Sequence, residues 1–139
     1  MKTATFNLVK NNHRQDVEKI KINSRDKIYI ESLVIPQTIM PQWDEYDCIM
    51  IIVKQFENYQ HFNNIAATFI LEKYEINPLN DLVIYHPNIM EKYTIFADPC
   101  NTIYYLSIDI AWVDIVGDIH QFEFNDDEPI KLKLCFKPN

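Results

Sequence analysis

Four histidines, three cysteines and two groups of carboxylates are the residues of this chain whose types could do chemistry. His13, His61, His86 and His120 could each offer a ring nitrogen to a metal. None stands two or four residues from another histidine, the local pairing that a zinc site usually shows in sequence. His120 falls on the polar face of its stretch and reads as a surface residue. Asp109, Asp114 and Asp118 form one acidic group, and Asp126, Asp127 and Glu128 form another. Such groups could supply oxygens to calcium or act as a glycosidase pair. Neither has the glycine-punctuated pattern of a calcium loop, and both fall where turns collect acids for solvation and Asx-type hydrogen bonding. Cys48 lies in an apolar run and reads as a small buried hydrophobe. Cys135 lies on the less apolar face of its stretch, with no neighbouring base or cationic setting to activate it. Gly117 is the one glycine. Phosphate-cradling loops, dinucleotide fingerprints and nucleophile elbows each need several glycines, so enzymes of those classes are excluded. The sequence predicts no catalytic residue, no metal ligand and no cofactor.

The scale of the chain limits what could position such groups. With 139 residues it is long enough for one domain to bury roughly two-thirds of the surface its unfolded form exposes. A formal net charge of −7 speaks against a nucleic-acid partner held by bulk electrostatics. No apolar stretch approaches the roughly 20 residues of a membrane-spanning helix. The first residues lack the continuous apolar stretch of a signal peptide, so the chain is expected to stay where it is made. Cys48, Cys100 and Cys135 are odd in number and far apart, which fits reduced thiols in a cytoplasmic compartment.

The elements read as strands. The chain has 21 isoleucines with many tyrosines and phenylalanines, a composition that favours pleated structure over helix. Ile130, Leu132, Leu134 and Phe136 alternate with polar residues, and so do Phe122 and Phe124. Residues 103–114 place Leu106, Ile108, Ile110 and Trp112 on one face, and Val116-Gly117-Asp118 closes a hairpin after them. These three stretches predict a meander. Upstream, residues 93–97 and 82–86 read as short strands, and Asp98-Pro99-Cys100-Asn101 as a turn. Residues 48–56 are apolar on both faces, as in a strand covered on each side. In residues 27–35 the alternation shifts between Ile30 and Leu33, which predicts a bulge near Glu31-Ser32. Phe6 and Leu8, then Ile20 and Ile22, suggest two shorter strands. Residues 64–76 fit helix or strand spacing, and Ala66–Glu72 is read as strand because its neighbours are strands. Eight to ten short strands predict an all-β, jelly-roll-like sandwich over residues 27–139, with residues 1–26 as an N-terminal arm or the first strands.

The block Lys27-Ile28-Tyr29-Ile30-Glu31-Ser32-Leu33-Val34-Ile35-Pro36 is followed by Asp47 to Asn58 and by Ala67-Thr68-Phe69-Ile70-Leu71. Asp98-Pro99, Leu106 to Ile110, Asp114 and Gly117 come next, then a charged turn and the strand ending at Phe136. This succession resembles the small β-sandwich minor capsid proteins of large icosahedral double-stranded DNA viruses. The resemblance implies a virion structural protein, made in the host cytoplasm, that bridges or cements major and minor capsid proteins without catalysis. Two other classes stay open. Tyr59, Tyr104 and Tyr105 are the aromatics expected outside, as a carbohydrate- or protein-binding module would use them. A small acidic protein would also suit a toxin-neutralising immunity role against a basic partner. The segment from Ile35 to Trp43 carries Pro36 and Pro41, so it cannot pair as a continuous ladder. Its Ile39, Met40 and Trp43 either plug the open end of the sandwich or form an apolar contact for a neighbouring subunit.

Overall fold

A computed structural model describes residues 2–10, 14–17, 21–22, 26–57, 66–85, 87, 95–97 and 105–138. Eleven strands run through them: β1 (Lys2–Leu8), β2 (Arg14–Asp16), β3 (Lys27–Pro36), β4 (Tyr46–Glu57), β5 (Ala66–Glu72), β6 (Ile76–Leu79), β7 (Leu82–Tyr85), β8 (Ile95–Ala97), β9 (Tyr105–Asp114), β10 (Ile119–Gln121) and β11 (Ile130–Lys137). The helical structure among the described residues is two 3₁₀ turns, Gln37–Ile39 and Lys73–Glu75. The segment that fitted either spacing is therefore strand over Ala66–Glu72, and the eight to ten expected strands become eleven through three-residue pieces such as β2, β8 and β10.

The pairing is antiparallel throughout, in two sheets packed face to face. One sheet runs β1–β11–β3–β7–β6 and the other β5–β4–β9, with β2 and β10 both on the outer side of β9. β8 joins the sheets, pairing with β3 at Lys27 and Ile28 and with β4 at Phe56 and Glu57. The first strand pairs with the last, β2 with β9, β3 with β7 and β4 with β5. The chain thus forms one long hairpin rolled across two sheets, which is the jelly-roll arrangement.

Alternation explains the core. Ile28, Ile30, Leu33 and Ile35 of β3, with Ile130, Leu132, Leu134 and Phe136 of β11 beside them, face Ile49, Ile51 and Val53 of β4 and Leu106, Ile108 and Ile110 of β9, all buried in one cluster. The shift in β3 is a bulge. Lys133 pairs with Ser32 and Leu134 with Ile30, so Glu31 is the extra residue, and the inward set on each side of it stays inward. Gly117 takes φ +94 in the turn from β9 to β10, where its missing Cβ removes the steric cost.

Several expectations need correcting. The meander breaks after its first hairpin: β10 ends at Gln121, and β11 pairs with β1 and β3 instead. Buried Phe122 and half-buried Phe124 turn into the core there, carrying the chain from one sheet to the other. Alternation marks a strand without naming its partner. The outer residues of β4, Cys48, Met50 and Ile52, are half-buried, and Ile70 beside Met50 is exposed, so β4 is central in its sheet but covered on one face. Cys135 is buried opposite Tyr29, although it points away from the core cluster. The strand described between β1 and β3 is β2; Ile22 is a buried residue on an isolated bridge, and the residues on either side of 21–22 lie outside the described residues. The expected turn at Asp98-Pro99-Cys100-Asn101, His13, His61, His86, Ile20, Tyr59 and Tyr104 lie outside the described residues.

Candidate functional site

The segment between β3 and β4 crosses from one sheet to the other over an end of the sandwich. Pro36 ends β3, the 3₁₀ turn follows, and the Gln37 N–H donates to the Asp81 carbonyl at 2.8 Å, tying the segment to the β6–β7 turn. The Met40 N–H donates to the Gln37 carbonyl at 3.2 Å and the Glu45 N–H to the Gln42 carbonyl at 2.9 Å, so the crossing is two consecutive tight turns. Ile39 and Met40 are half-buried and pack against the core, as a plug does. Trp43 is 55% exposed. The three residues singled out from sequence therefore divide: two close the sandwich and one faces water.

Between this segment and the β6–β7 hairpin lies an open cleft of about 100 Å³. Met40, Pro41, Trp43 and Tyr46 form one wall, and Ile76, Pro78 and Val83 form the other, with Gln37 at one end. Trp43 stands edge-on to Tyr46, their ring centroids 6.0 Å apart at 83°. The Lys73 ammonium lies 4.4 Å from the Trp43 centroid and 5.2 Å from that of Tyr46, a cation held over two rings. Burial pushes the Tyr46 hydroxyl pKa above its ordinary value. Tyr74, Leu79 and Leu82, all exposed, continue the apolar surface along the β5–β6 connection and the β6–β7 hairpin, and the Tyr74 hydroxyl donates to Glu72.

Across the same end, Asp114 pairs in register with Tyr46 and closes the β9–β10 hairpin. Its Oδ1 accepts the N–H groups of Val116 at 3.0 Å and Asp118 at 2.9 Å, and its Oδ2 lies 2.7 Å from His120 Nε2. The His120 ring stacks on Trp112 with centroids 4.1 Å apart. His120 pairs with Trp112 in the ladder and shares its face at the sandwich end, where its side chain is 42% exposed, so it is a surface residue stacked on Trp112. The hydrogen bond to His120 first, and the two backbone donors after it, hold the Asp114 carboxyl below the usual range. Ile115, Val116 and Ile119 are exposed at the tip.

The acidic groups do not assemble into a site. Asp109 pairs with Ile52 on the opposite face of β9 from Asp114, so three carboxylates near in sequence are not together in space. In the other group, Asn125 accepts the Asp127 N–H on its side chain at 3.0 Å and the Glu128 N–H on its carbonyl at 3.1 Å, the Asx turn that its composition favours. No group of three or more His, Cys, Asp or Glu residues is placed to hold a metal among the described residues. Tyr105 is 37% exposed, beneath the Arg14 guanidinium at 3.7 Å from its centroid.

Sequence reasoning found Met40 and Trp43 but not the opposite wall. Pro78 inside a short strand was the available signal, since proline in a strand marks an edge. Lys73 carried none, because an ion over aromatic rings leaves no local pattern. No helix among the described residues is long and apolar enough to cross a membrane. No protein-family model, curated protein or solved structure matches this chain.

Proposed function

We propose that this protein is a non-catalytic structural protein that binds other proteins through the sandwich end around Trp43, and that the assembly it joins is the capsid of a large double-stranded DNA virus, as a minor capsid protein contacting major and minor capsid subunits. The observation that carries the docking half is the exposure of Trp43 on a segment whose neighbours Ile39 and Met40 are anchored in the core. A rigidly mounted, exposed tryptophan is the residue type most enriched at interface hot spots. The capsid half rests on the sequence resemblance, and the rolled-hairpin topology suits it, since capsid domains use jelly rolls. That is a fold-level analogy, and lectins share the architecture. Against a sugar platform, Trp43 has Lys73 over its ring and Tyr46 at its edge. Against a small-molecule site, the cleft of about 100 Å³ falls well below the roughly 300–1,000 Å³ such ligands occupy.

The test is composition of purified particles by peptide mass spectrometry, with wild type and Trp43→Ala. Wild type is expected at stoichiometric level. The variant is expected to keep its fold, with a stability loss of about 1 kcal/mol or less for a half-exposed ring under a surface cation, and to be missing from particles. Absence of the wild-type protein from particles, or normal incorporation of the variant, overturns the reading.

A further inference from the structure

The charge around the cleft says what kind of segment the Trp43 end takes, and this step rests on the docking role given to that end. The three segments that meet there are residues 37–47, 72–83 and 112–121. They expose Asp44, Glu45, Asp47, Asp81 and Asp118, while their cationic or protonatable side chains are Lys73, already over the two rings, and His120, already beside Asp114. The segments around the apolar slot therefore carry five exposed carboxylates against one lysine, a net negative charge. The slot has room for one apolar side chain and little more. The strand at its far wall, β6, contains Pro78, which has no N–H to donate, so a partner cannot extend that sheet as a continuous ladder. Recognition must come from a side chain in the slot and charge around it.

We infer that the cleft between Trp43 and Pro78 receives a single aliphatic side chain from a lysine- or arginine-rich segment of a partner protein. The anchor sits against Met40, Pro41 and Val83, and the flanking cations lie over Asp44, Glu45 and Asp81. Charge of this arrangement steers association and rejects acidic segments more than it adds affinity. It also makes the contact salt-sensitive, because the rim is exposed.

The experiment uses the full chain and three synthetic peptides: one leucine flanked by lysines, the same leucine flanked by glutamates, and an alanine flanked by lysines. Binding is read by NMR from the Trp43 indole N–H and the backbone amides of residues 37–47. The lysine–leucine peptide is expected to shift these signals and to bind at least about tenfold more tightly than either of the others. The charge-reversed double variant Asp44→Lys/Glu45→Lys, whose two sites are exposed and leave the fold intact, is expected to prefer the glutamate peptide. Equal binding of all three peptides, binding of none, or equal binding of the two lysine peptides overturns the inference. Concentration-dependent shifts at the same residues without peptide overturn it too, by making a second copy of this chain the occupant. Loss of Trp43→Ala from particles without a preference for the lysine–leucine peptide refutes this inference alone. A preference for that peptide together with normal incorporation of Trp43→Ala refutes the docking role alone.

Discussion

Leu134 and Lys133 are adjacent in β11 and should differ by several kcal/mol in what they contribute. Leu134 is fully buried, between Ala4 of β1 and Ile30 of β3 on the inner face. Truncation to alanine removes three carbons at about 0.8 kcal/mol each, or about 2.4 kcal/mol of transfer free energy. A residual cavity of about 50 Å³ at about 24 cal/mol per Å³ adds about 1.2 kcal/mol. Collapse around that cavity is limited because β11 is laddered on both sides, by β1 and by β3. The expected loss for Leu134→Ala is then about 3.5 kcal/mol, which lowers Tm by about 14 °C at about 4 °C per kcal/mol. Lys133 has a side chain 40% exposed, with Nζ 3.2 Å from Glu31 Oε2. An ion pair this open contributes about 0–1 kcal/mol. Urea unfolding followed by tryptophan fluorescence measures both variants, and an unchanged m-value licenses the comparison. Equal losses at the two positions, or the larger loss at Lys133, would refute the register and with it the assignment of faces in β11.

Three other outcomes follow from neighbouring features. Deletion of Glu31 is expected to leave a folded protein, since Ile30, Ser32 and Leu33 then alternate inward, outward, inward, whereas deletion of Ile30 moves Glu31 into the inward place and buries an unpaired carboxylate in the core; soluble yield and circular dichroism of the two deletions decide it. Asp114→Ala is expected to lower Tm at neutral pH. Because the folded pKa of Asp114 lies below the unfolded value of about 3.9, its contribution is complete above that pH and lost as pH falls through the folded pKa, so the gap between variant and wild type should narrow only in acid; a gap that stays constant to low pH refutes the role of the carboxylate. Cys135 is buried with Sγ 3.4 Å from Glu31 Oε2, and its pKa is pushed up to about 11, by burial first and Glu31 second. At pH 8 only about one thiol in a thousand is ionised, so maleimide followed by peptide mapping should label Cys135 after unfolding and not before.

What the sequence made legible was local. The inward faces of β9 and β11 follow from alternation at Leu106–Ile110 and Ile130–Phe136, and the bulge at Glu31 from a break in that alternation. The Gly117 turn was equally readable, since one glycine among strand residues has few places to serve. Pairing was not readable. β11 bonds to strands about a hundred residues earlier, and nothing in its own residues distinguishes that from pairing with β10. Apolar runs misled in a related way: residues 48–53 look the same whether their second face is covered or bare. For the candidate site, Met40 and Trp43 stood out as apolar residues in a segment that cannot pair. Their setting among Lys73, Pro78 and Val83 depends on how β5–β7 return to that end, which no spacing encodes.

The place of β11 between β1 and β3 has a consequence for how the protein is made. Synthesis delivers β1 and β3 early, yet they do not pair with each other, and the strand that joins them, β11, emerges after all the other described strands. Until residues 130–137 have left the ribosome, both carry open edges and half of the core has no floor. A nascent chain therefore cannot fold sheet by sheet as it grows. Native structure has to wait for the final strand, and the bare edges of β1 and β3 are the surfaces that a chaperone, or another unfinished copy, meets first.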